Sequence, residues 1–165
     1  MQNARGSIRI EPARRDQVPL ILYFVKQLAE YEKLLDKVTA DEAQIKQTLF
    51  GEKPCAEVVI GYLGDEPAGF AIFFATYSTF LGQPGIYLED LFVEPKFRGA
   101  GVGKALLVHL AKLVRDRGGA RLEWSVLNWN EPAIQFYKSL GAAAQDAWTM
   151  YRVTGENLDK LAETL

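Results

Sequence analysis

A glycine-rich segment, Arg98-Gly-Ala-Gly-Val-Gly-Lys104, follows an apolar run and precedes a long amphipathic stretch. Glycines at alternate positions allow backbone amides to approach a ligand closely, because no Cβ atom stands in the way. The start of a helix adds free N–H groups and a positive dipole end, which favour negative charge. The segment therefore predicts an anion-binding loop at the beginning of a helix.

Two common phosphate-binding loops do not fit the spacing. A Walker loop places glycine five residues before its last glycine and a hydroxyl after its lysine, and Arg98 and Ala105 occupy these positions. A dinucleotide-binding loop has its third glycine three residues after the second, whereas Gly103 comes two residues after Gly101. What fits is the pattern Arg-x-x-Gly-x-Gly.

Two adjacent carboxylates, Glu89 and Asp90, lie in the apolar stretch Tyr87–Val93 directly before this loop. Neighbouring side chains of a strand point to opposite faces, and a buried carboxylate is costly unless it is paired or lies in a wet cleft. We expect one of the two to face a functional site. Internal hydrogen bonds that satisfy both carboxylates are the alternative.

A third segment, Asn128–Lys138, has the features of a helix start. Asn130 is a natural N-cap, and Pro132 is tolerated in the first turn. Tyr137 follows about two turns later and so lies on nearly the same face as Asn130. That face could hold a ligand at one end and serve its reactive group at the other, although a tyrosine at this spacing is also typical of a core.

The composition narrows the class of protein. The chain has 165 residues, 48% apolar content and a net charge of -2, which suit a single domain over residues 1–165 that binds neither nucleic acid nor an anionic membrane. The apolar runs are too short to span a bilayer, and we expect a cytoplasmic protein. Cys55 and His109 are the only cysteine and histidine, so we expect no internal disulfide and no metal site.

The periodicity of apolar residues predicts a mixed α/β protein rather than a doubly wound one. The predicted strands cover residues 7–11, 56–63, 68–78, 85–93, 121–127 and 147–153. The predicted helices cover residues 16–31, 101–117 and 130–140, with further helices from Thr39, where Thr39-Ala-Asp-Glu42 has the capping-box form, and from about residue 154. Gly64-Asp-Glu-Pro67 predicts the turn of a hairpin.

Four segments together resemble the diamine (spermidine/spermine) and thialysine acetyltransferase branch of the GNAT superfamily, and the resemblance covers nearly the whole chain. The segments are Leu28–Lys33, Tyr87–Val93, Arg98–Gly103 and Trp129–Lys138. The resemblance implies the GNAT acyl-CoA N-acyltransferase fold, a mostly antiparallel central sheet with a splayed parallel strand pair and flanking helices. It also implies a homodimer, for which the leucine-rich C-terminal helix (Leu158, Leu161, Leu165) offers an apolar face.

The resemblance further implies a binding site for the cosubstrate acetyl-CoA. The strand amides at Leu91, Phe92 and Val93 would bind its pantetheine, and Asn130 and Ala133 would flank it. The pyrophosphate would lie on the loop formed by Arg98, Gly99, Ala100, Gly101, Val102, Gly103 and Lys104.

In such an enzyme the amine attacks acetyl-CoA directly, without an acyl-enzyme. An amine is nucleophilic only when neutral, so Glu89 is expected to remove its proton, and Tyr137 is expected to protonate the departing thiolate. The resemblance places Tyr31, Glu32 and Glu89 at the amine, and we expect Asp90 and Trp148 to bind the substrate as well. The chain departs from the family pattern at Asn128 and has a shorter segment between residues 141 and 148.

Carboxylates at positions 30, 32, 89 and 90 favour a small cationic amine, such as a diamine, a polyamine or a lysine-like molecule. Glu30 and Glu32 could equally form a solvated helix edge. Two other functions fit the same motifs: acetylation of a peptide or drug amine, and acyl-CoA binding without catalysis.

Overall fold

A computed structural model describes residues 6–164, which form two compact units, one ending at Leu127 and the other beginning at Asn128. The first unit holds strands β1 Ile8–Pro12, β2 Glu57–Leu63, β3 Glu66–Ser78, β4 Gln83–Val93 and β5 Arg121–Trp124, and helices α1 Val18–Tyr31, α2 Glu42–Phe50 and α3 Val102–Asp116. Short 3-10 turns cover Arg15–Gln17, Leu35–Lys37 and Pro95–Phe97. The second unit holds α4 Glu131–Ser139 and α5 Glu156–Ala162.

The five strands form one mixed sheet in the order β1-β2-β3-β4-β5. The pairs from β1 to β4 are antiparallel, and only β4 and β5 run parallel. The parallel pairing joins Gly85 to Arg121 at one end and Leu88 to Trp124 at the other. The C-terminal half of β4 therefore continues beyond β5, as expected for a splayed pair.

Helices cover both faces of this sheet. On one face Val18, Ile21 and Phe24 of α1 pack in one buried cluster with strand residues such as Ile60 and Phe70. On the other face a Cβ at Gly61 would lie 3.0 Å from Val102 and 3.5 Å from Leu106 of α3. Neighbouring strand residues point to opposite faces, so Ile60 faces the layer of α1 and Gly61 faces the layer of α3. The apolar faces of α1 and α3 thus pack these two helices on opposite faces of the sheet.

A β-bulge interrupts the pairing of β3 with β4. Leu88 lies opposite Phe73 and Asp90 opposite Ile72, which leaves Glu89 as the extra residue of β4. A bulge breaks the simple alternation of side chains and increases the local twist. The sequence pattern predicts plain alternation at this point and gives no sign of the extra residue.

Several element boundaries differ from the predictions by one to three residues, and one predicted strand is absent from the described residues. Helix α2 begins after Asp41, whose side chain accepts from the Gln44 amide at 2.8 Å, so Asp41 rather than Thr39 is the cap. Strand β5 ends at Trp124, three residues before the predicted end. The predicted strand over residues 147–153 is wrong: this stretch forms no helix or strand. Aromatic and β-branched residues make a segment suitable for a strand, but a strand forms only where a neighbouring strand edge can pair with it.

The predicted C-terminal helix is confirmed as α5, where Leu158 and Leu161 are exposed. Leu165 lies outside the described residues. Among residues 6–164, no helix has the length and apolar character needed to cross a membrane.

Candidate active site

The glycine loop forms the start of α3, as predicted. Gly101 is the N-cap residue and, as a glycine, has no side chain that could cap the helix. Among the described residues, no backbone or side-chain acceptor takes a hydrogen bond from five amides of the loop, those of Gly99, Gly101, Val102, Gly103 and Lys104. The amide of Ala100, by contrast, donates to Phe97 O at 3.3 Å. The loop therefore offers several donors and a positive helix end to an anion.

The backbone of this loop requires glycine at two positions. Gly99 and Gly101 have φ angles of +77° and +95°, which residues with a Cβ atom rarely adopt. A Cβ at Gly99 would meet no atom of residues 6–164 within 4 Å, and one at Gly101 would lie 3.5 Å from Ile8. The glycines thus serve the conformation of the loop and leave its outer surface open, as a ligand-binding loop requires.

Arg98 is held at the start of the loop by its side chain. Its Nε donates to Val93 O at 3.1 Å, and its guanidinium carbon lies 4.9 Å from the ring centre of Tyr31 and 5.8 Å from that of Phe92. Among the described residues no carboxylate pairs with Arg98. Its positive charge is therefore fixed in place without being neutralised.

The end of β4 has one open edge. Gly69 to Ile72 of β3 pair with Val93 to Asp90, while the pairing with β5 stops at Leu88. Leu91, Phe92 and Val93 thus extend past the last residue of β5. An edge of this kind offers backbone groups to an extended ligand such as pantetheine.

Three carboxylates lie close together where α1 ends beside β4. Asp90 is half-buried, and its burial, followed by the charges of Glu89 and Glu32, raises its pKa to about 6. Burial likewise raises the pKa of Glu32, which directly follows α1. Glu89 is exposed at the bulge. Negative charges held together in this way favour a cation.

The remaining predicted site residues belong to the second unit. Asn130 is buried and caps α4, with its side chain accepting from the Ala133 amide at 3.4 Å. Tyr137 lies in the same helix, half-buried, with its ring 5.6 Å from that of Phe136. Trp148 is 80% exposed in the irregular stretch that follows α4.

The first unit thus brings together Tyr31, Arg98 and the end of β4, and also Glu32, Glu89 and Asp90. The sequence reasoning missed a further link, in which the Glu94 carboxylate, followed by burial, raises the pKa of the Tyr23 hydroxyl on α1. Tyr23 precedes Tyr31 by about two helical turns, and this spacing indicates that both tyrosines lie on the same face of α1.

Comparison with known proteins identifies the family. The sequence model of the acetyltransferase (GNAT) family matches residues 23–142. The chain is 33% identical to a thialysine N-epsilon-acetyltransferase from Sus scrofa over 95% of this chain and 98% of that protein. It is 29% identical to an L-ornithine N5-acetyltransferase from Arabidopsis thaliana over 93% of this chain and 87% of that protein.

A solved structure has a similar fold. An integron cassette protein from the mobile metagenome of V. cholerae matches with a TM-score of 0.79 and 29% identity, over 95% of this chain and 98% of that chain. The chain therefore belongs to the GNAT acetyltransferase family and has its fold. It is an N-acetyltransferase, and enzymes of this family take the acetyl group from acetyl-CoA.

Proposed function

We propose that the protein transfers the acetyl group of acetyl-CoA to a primary amine of a small cationic substrate, with both substrates bound at once. The observation that carries this proposal is the start of α3, where five amides without a partner among the described residues lie beside Arg98. A pyrophosphate would satisfy these donors and balance the arginine.

The rest of acetyl-CoA would follow β4 toward the bulge. The open edge at Leu91, Phe92 and Val93 supports a pantetheine running alongside the strand. Asn130 and Ala133, at the start of α4, would flank it. The acetyl group would then reach the bulged part of β4, where the carboxylates lie.

The chemistry requires one group that accepts a proton and one that donates it. Glu89, exposed at the bulge, would take the ammonium proton directly or through a water molecule, so that the neutral amine attacks the thioester carbonyl. The carbon–nitrogen bond forms, the carbon–sulfur bond breaks, and Tyr137 would donate a proton to the thiolate. The nitrogen then loses its second proton, which would restore the Tyr137 hydroxyl directly or through water, and the proton on Glu89 leaves to solvent. The protein itself is never acylated in this scheme.

The substrate class follows from the carboxylates and the relatives. Asp90 and Glu32 would hold a second positive charge while the first amine reacts at Glu89. The named substrates of two relatives, thialysine and L-ornithine, are amino acids with an amine on the side chain. We infer a lysine-like molecule, a diamine or a polyamine as the substrate.

Two further parts of the proposal concern organisation. The family match over residues 23–142 crosses the boundary at Leu127, which supports a single acetyltransferase domain over residues 1–165. The exposed apolar side chains of the C-terminal region, Trp148, Met150, Tyr151, Leu158 and Leu161, support a homodimer that covers them.

A thiol-release assay with acetyl-CoA and a panel of amines tests the function. The panel contains thialysine, ornithine, lysine, diamines, spermidine, an aminoglycoside and a peptide with a free N-terminus. Release of CoA with a small cationic amine, and a product heavier by one acetyl group on that amine, is the expected result. Turnover of the peptide or the aminoglycoside alone would favour the peptide or drug substrate, and no turnover would favour a non-catalytic acyl-CoA-binding protein.

A further inference from the structure

The side chain of Arg98 lies against two aromatic rings from different elements. Phe92 belongs to β4, whose end carries the glycine loop, whereas Tyr31 is the last residue of α1. The guanidinium carbon is 4.9 Å from the Tyr31 ring centre, within the range of a cation–π contact. Arg98 is thus the point where the end of α1 meets the loop.

The contact restrains only part of the guanidinium. Nε donates to Val93 O, while the two terminal nitrogens form no hydrogen bond with any group in residues 6–164. An arginine on an exposed loop normally samples many rotamers, and ordering it on binding costs free energy. A ring that already holds the side chain lowers this cost and keeps the terminal nitrogens available.

Helix α1 is anchored to the sheet through its middle, about two turns before Tyr31. Phe24 of α1 is fully buried, and its ring centre lies 6.1 Å from that of Phe92. Tyr23 of α1 also lies with its ring centre 5.6 Å from that of Phe24. Tyr31 therefore presents its ring to Arg98 from a fixed helix.

We propose that Tyr31 is a positioning residue for the cosubstrate: its ring holds the Arg98 guanidinium ready for the pyrophosphate of acetyl-CoA. This inference rests on the proposed function, and it gives Tyr31 a part in acetyl-CoA binding beyond the expected contact with the amine. Glu32, which is expected to lie at the amine, directly follows Tyr31. The contact between Tyr31 and Arg98 therefore lies between the amine-binding carboxylates and the pyrophosphate loop.

A double-mutant cycle with CoA as the probe tests the proposal by calorimetry. Tyr31→Leu is expected to weaken CoA binding by about 3- to 30-fold, the range for loss of a partly exposed cation–π contact. Tyr31→Phe keeps the ring and is expected to restore affinity to within about twofold of the wild type. In an Arg98→Gln background, Tyr31→Leu should cause no further loss beyond about twofold, because Tyr31 acts through the arginine.

Two control variants show whether a loss of CoA affinity comes from a general effect on folding. Tyr77→Leu removes an exposed tyrosine at the end of β3 and should leave CoA affinity unchanged. Tyr31→Gln removes the ring from a position that is 38% exposed without adding apolar surface, and should match Tyr31→Leu. A melting temperature close to that of the wild type would separate loss of positioning from loss of structure.

The proposal is overturned if a folded Tyr31→Leu protein binds CoA within about twofold of the wild type. It is also overturned if Tyr31→Leu weakens CoA binding as much in the Arg98→Gln background as in the wild type. An equal loss in Tyr31→Phe would also overturn it, because the hydroxyl would then be responsible. If the enzyme acetylates an amine but the Tyr31 and Arg98 substitutions have additive effects on CoA affinity, this inference is wrong and the proposed function stands. If the two substitutions are coupled as expected but the protein acetylates no amine, the proposed reaction is wrong and this inference stands. If the wild-type protein does not bind CoA, both are wrong.

Discussion

Asp90 of β4 lies opposite Ile72 of β3, on the face of the sheet that α1 covers. A carboxylate beside an apolar cluster loses part of its hydration, and Glu89 and Glu32 add repulsion. The pKa of Asp90 is therefore raised to about 6 from an ordinary value of 3.8. The folded protein holds this proton more tightly than the unfolded chain does.

This shift predicts how stability depends on pH. Asp90 favours the folded state below its ordinary pKa, and this contribution is lost as the pH rises through about 6. Asp90→Asn should therefore raise the free energy of unfolding near pH 8 relative to wild type, by at most about 3 kcal/mol. Near pH 4 the two proteins should be close in stability.

Urea unfolding at the two pH values measures this difference. Asp65→Asn is the matched control, since the Asp65 side chain is fully exposed, and should change stability by less than about 0.5 kcal/mol at either pH. An Asp90→Asn protein with the same stability difference near pH 4 and near pH 8 would show that this carboxyl does not titrate as described.

A second prediction concerns the glycine loop. Gly101→Val forces a β-branched residue to φ near +95° at the start of α3 and should abolish measurable acetyl-CoA binding. Gly118→Val places the same strain at the other end of α3, where φ is +68°, and should lower stability without affecting binding. Calorimetry on the folded variants distinguishes them, and equal acetyl-CoA affinity in both would argue against the loop as the pyrophosphate site.

A third prediction concerns Tyr137. Tyr137→Phe keeps the ring and removes the hydroxyl, so kcat should fall by about 10²–10⁴ while acetyl-CoA affinity changes little. Tyr151→Phe removes a hydroxyl that is exposed in the same unit and should leave kcat unchanged. If the Tyr137→Phe enzyme keeps kcat within about twofold of the wild type, Tyr137 serves packing rather than proton transfer.

A fourth prediction concerns assembly. Light scattering at micromolar concentration should give the mass of a dimer, twice the 18.5 kDa of one chain. Leu158→Glu with Leu161→Glu adds charge to exposed positions of α5 and should shift the mass toward the monomer. A wild-type protein with the mass of one chain would refute the dimer.

Much of the fold follows from sequence periodicity. The buried stripes of α1 and α3 and the apolar runs of β2 to β4 predict their elements within a few residues, because each of these helices buries one face and these strands lie between the two helical layers. The glycine loop is predictable for a different reason. Gly99 and Gly101 occupy backbone conformations that few other residues adopt.

Other features depend on partners that are distant in sequence. The bulge at Glu89 arises from the register of β4 against β3, which local alternation does not encode. The contact between Arg98 and Tyr31 joins residues far apart in the chain and depends on where α1 ends. The stretch over residues 147–153 contains residue types that are common in strands, yet its own sequence does not supply the edge that a strand needs.

The most direct test of the central claim compares a diamine with a monoamine of equal chain length. Asp90 and Glu32 should attract the second ammonium, so kcat/KM should be at least about fivefold higher for the diamine, equivalent to roughly 1 kcal/mol of charge interaction. Glu89→Gln should lower both the rate and this ratio, whereas Glu52→Gln, at an exposed position, should change neither. Equal kcat/KM for the two amines, or a preference for a peptide N-terminus, would contradict the assignment to small cationic amines.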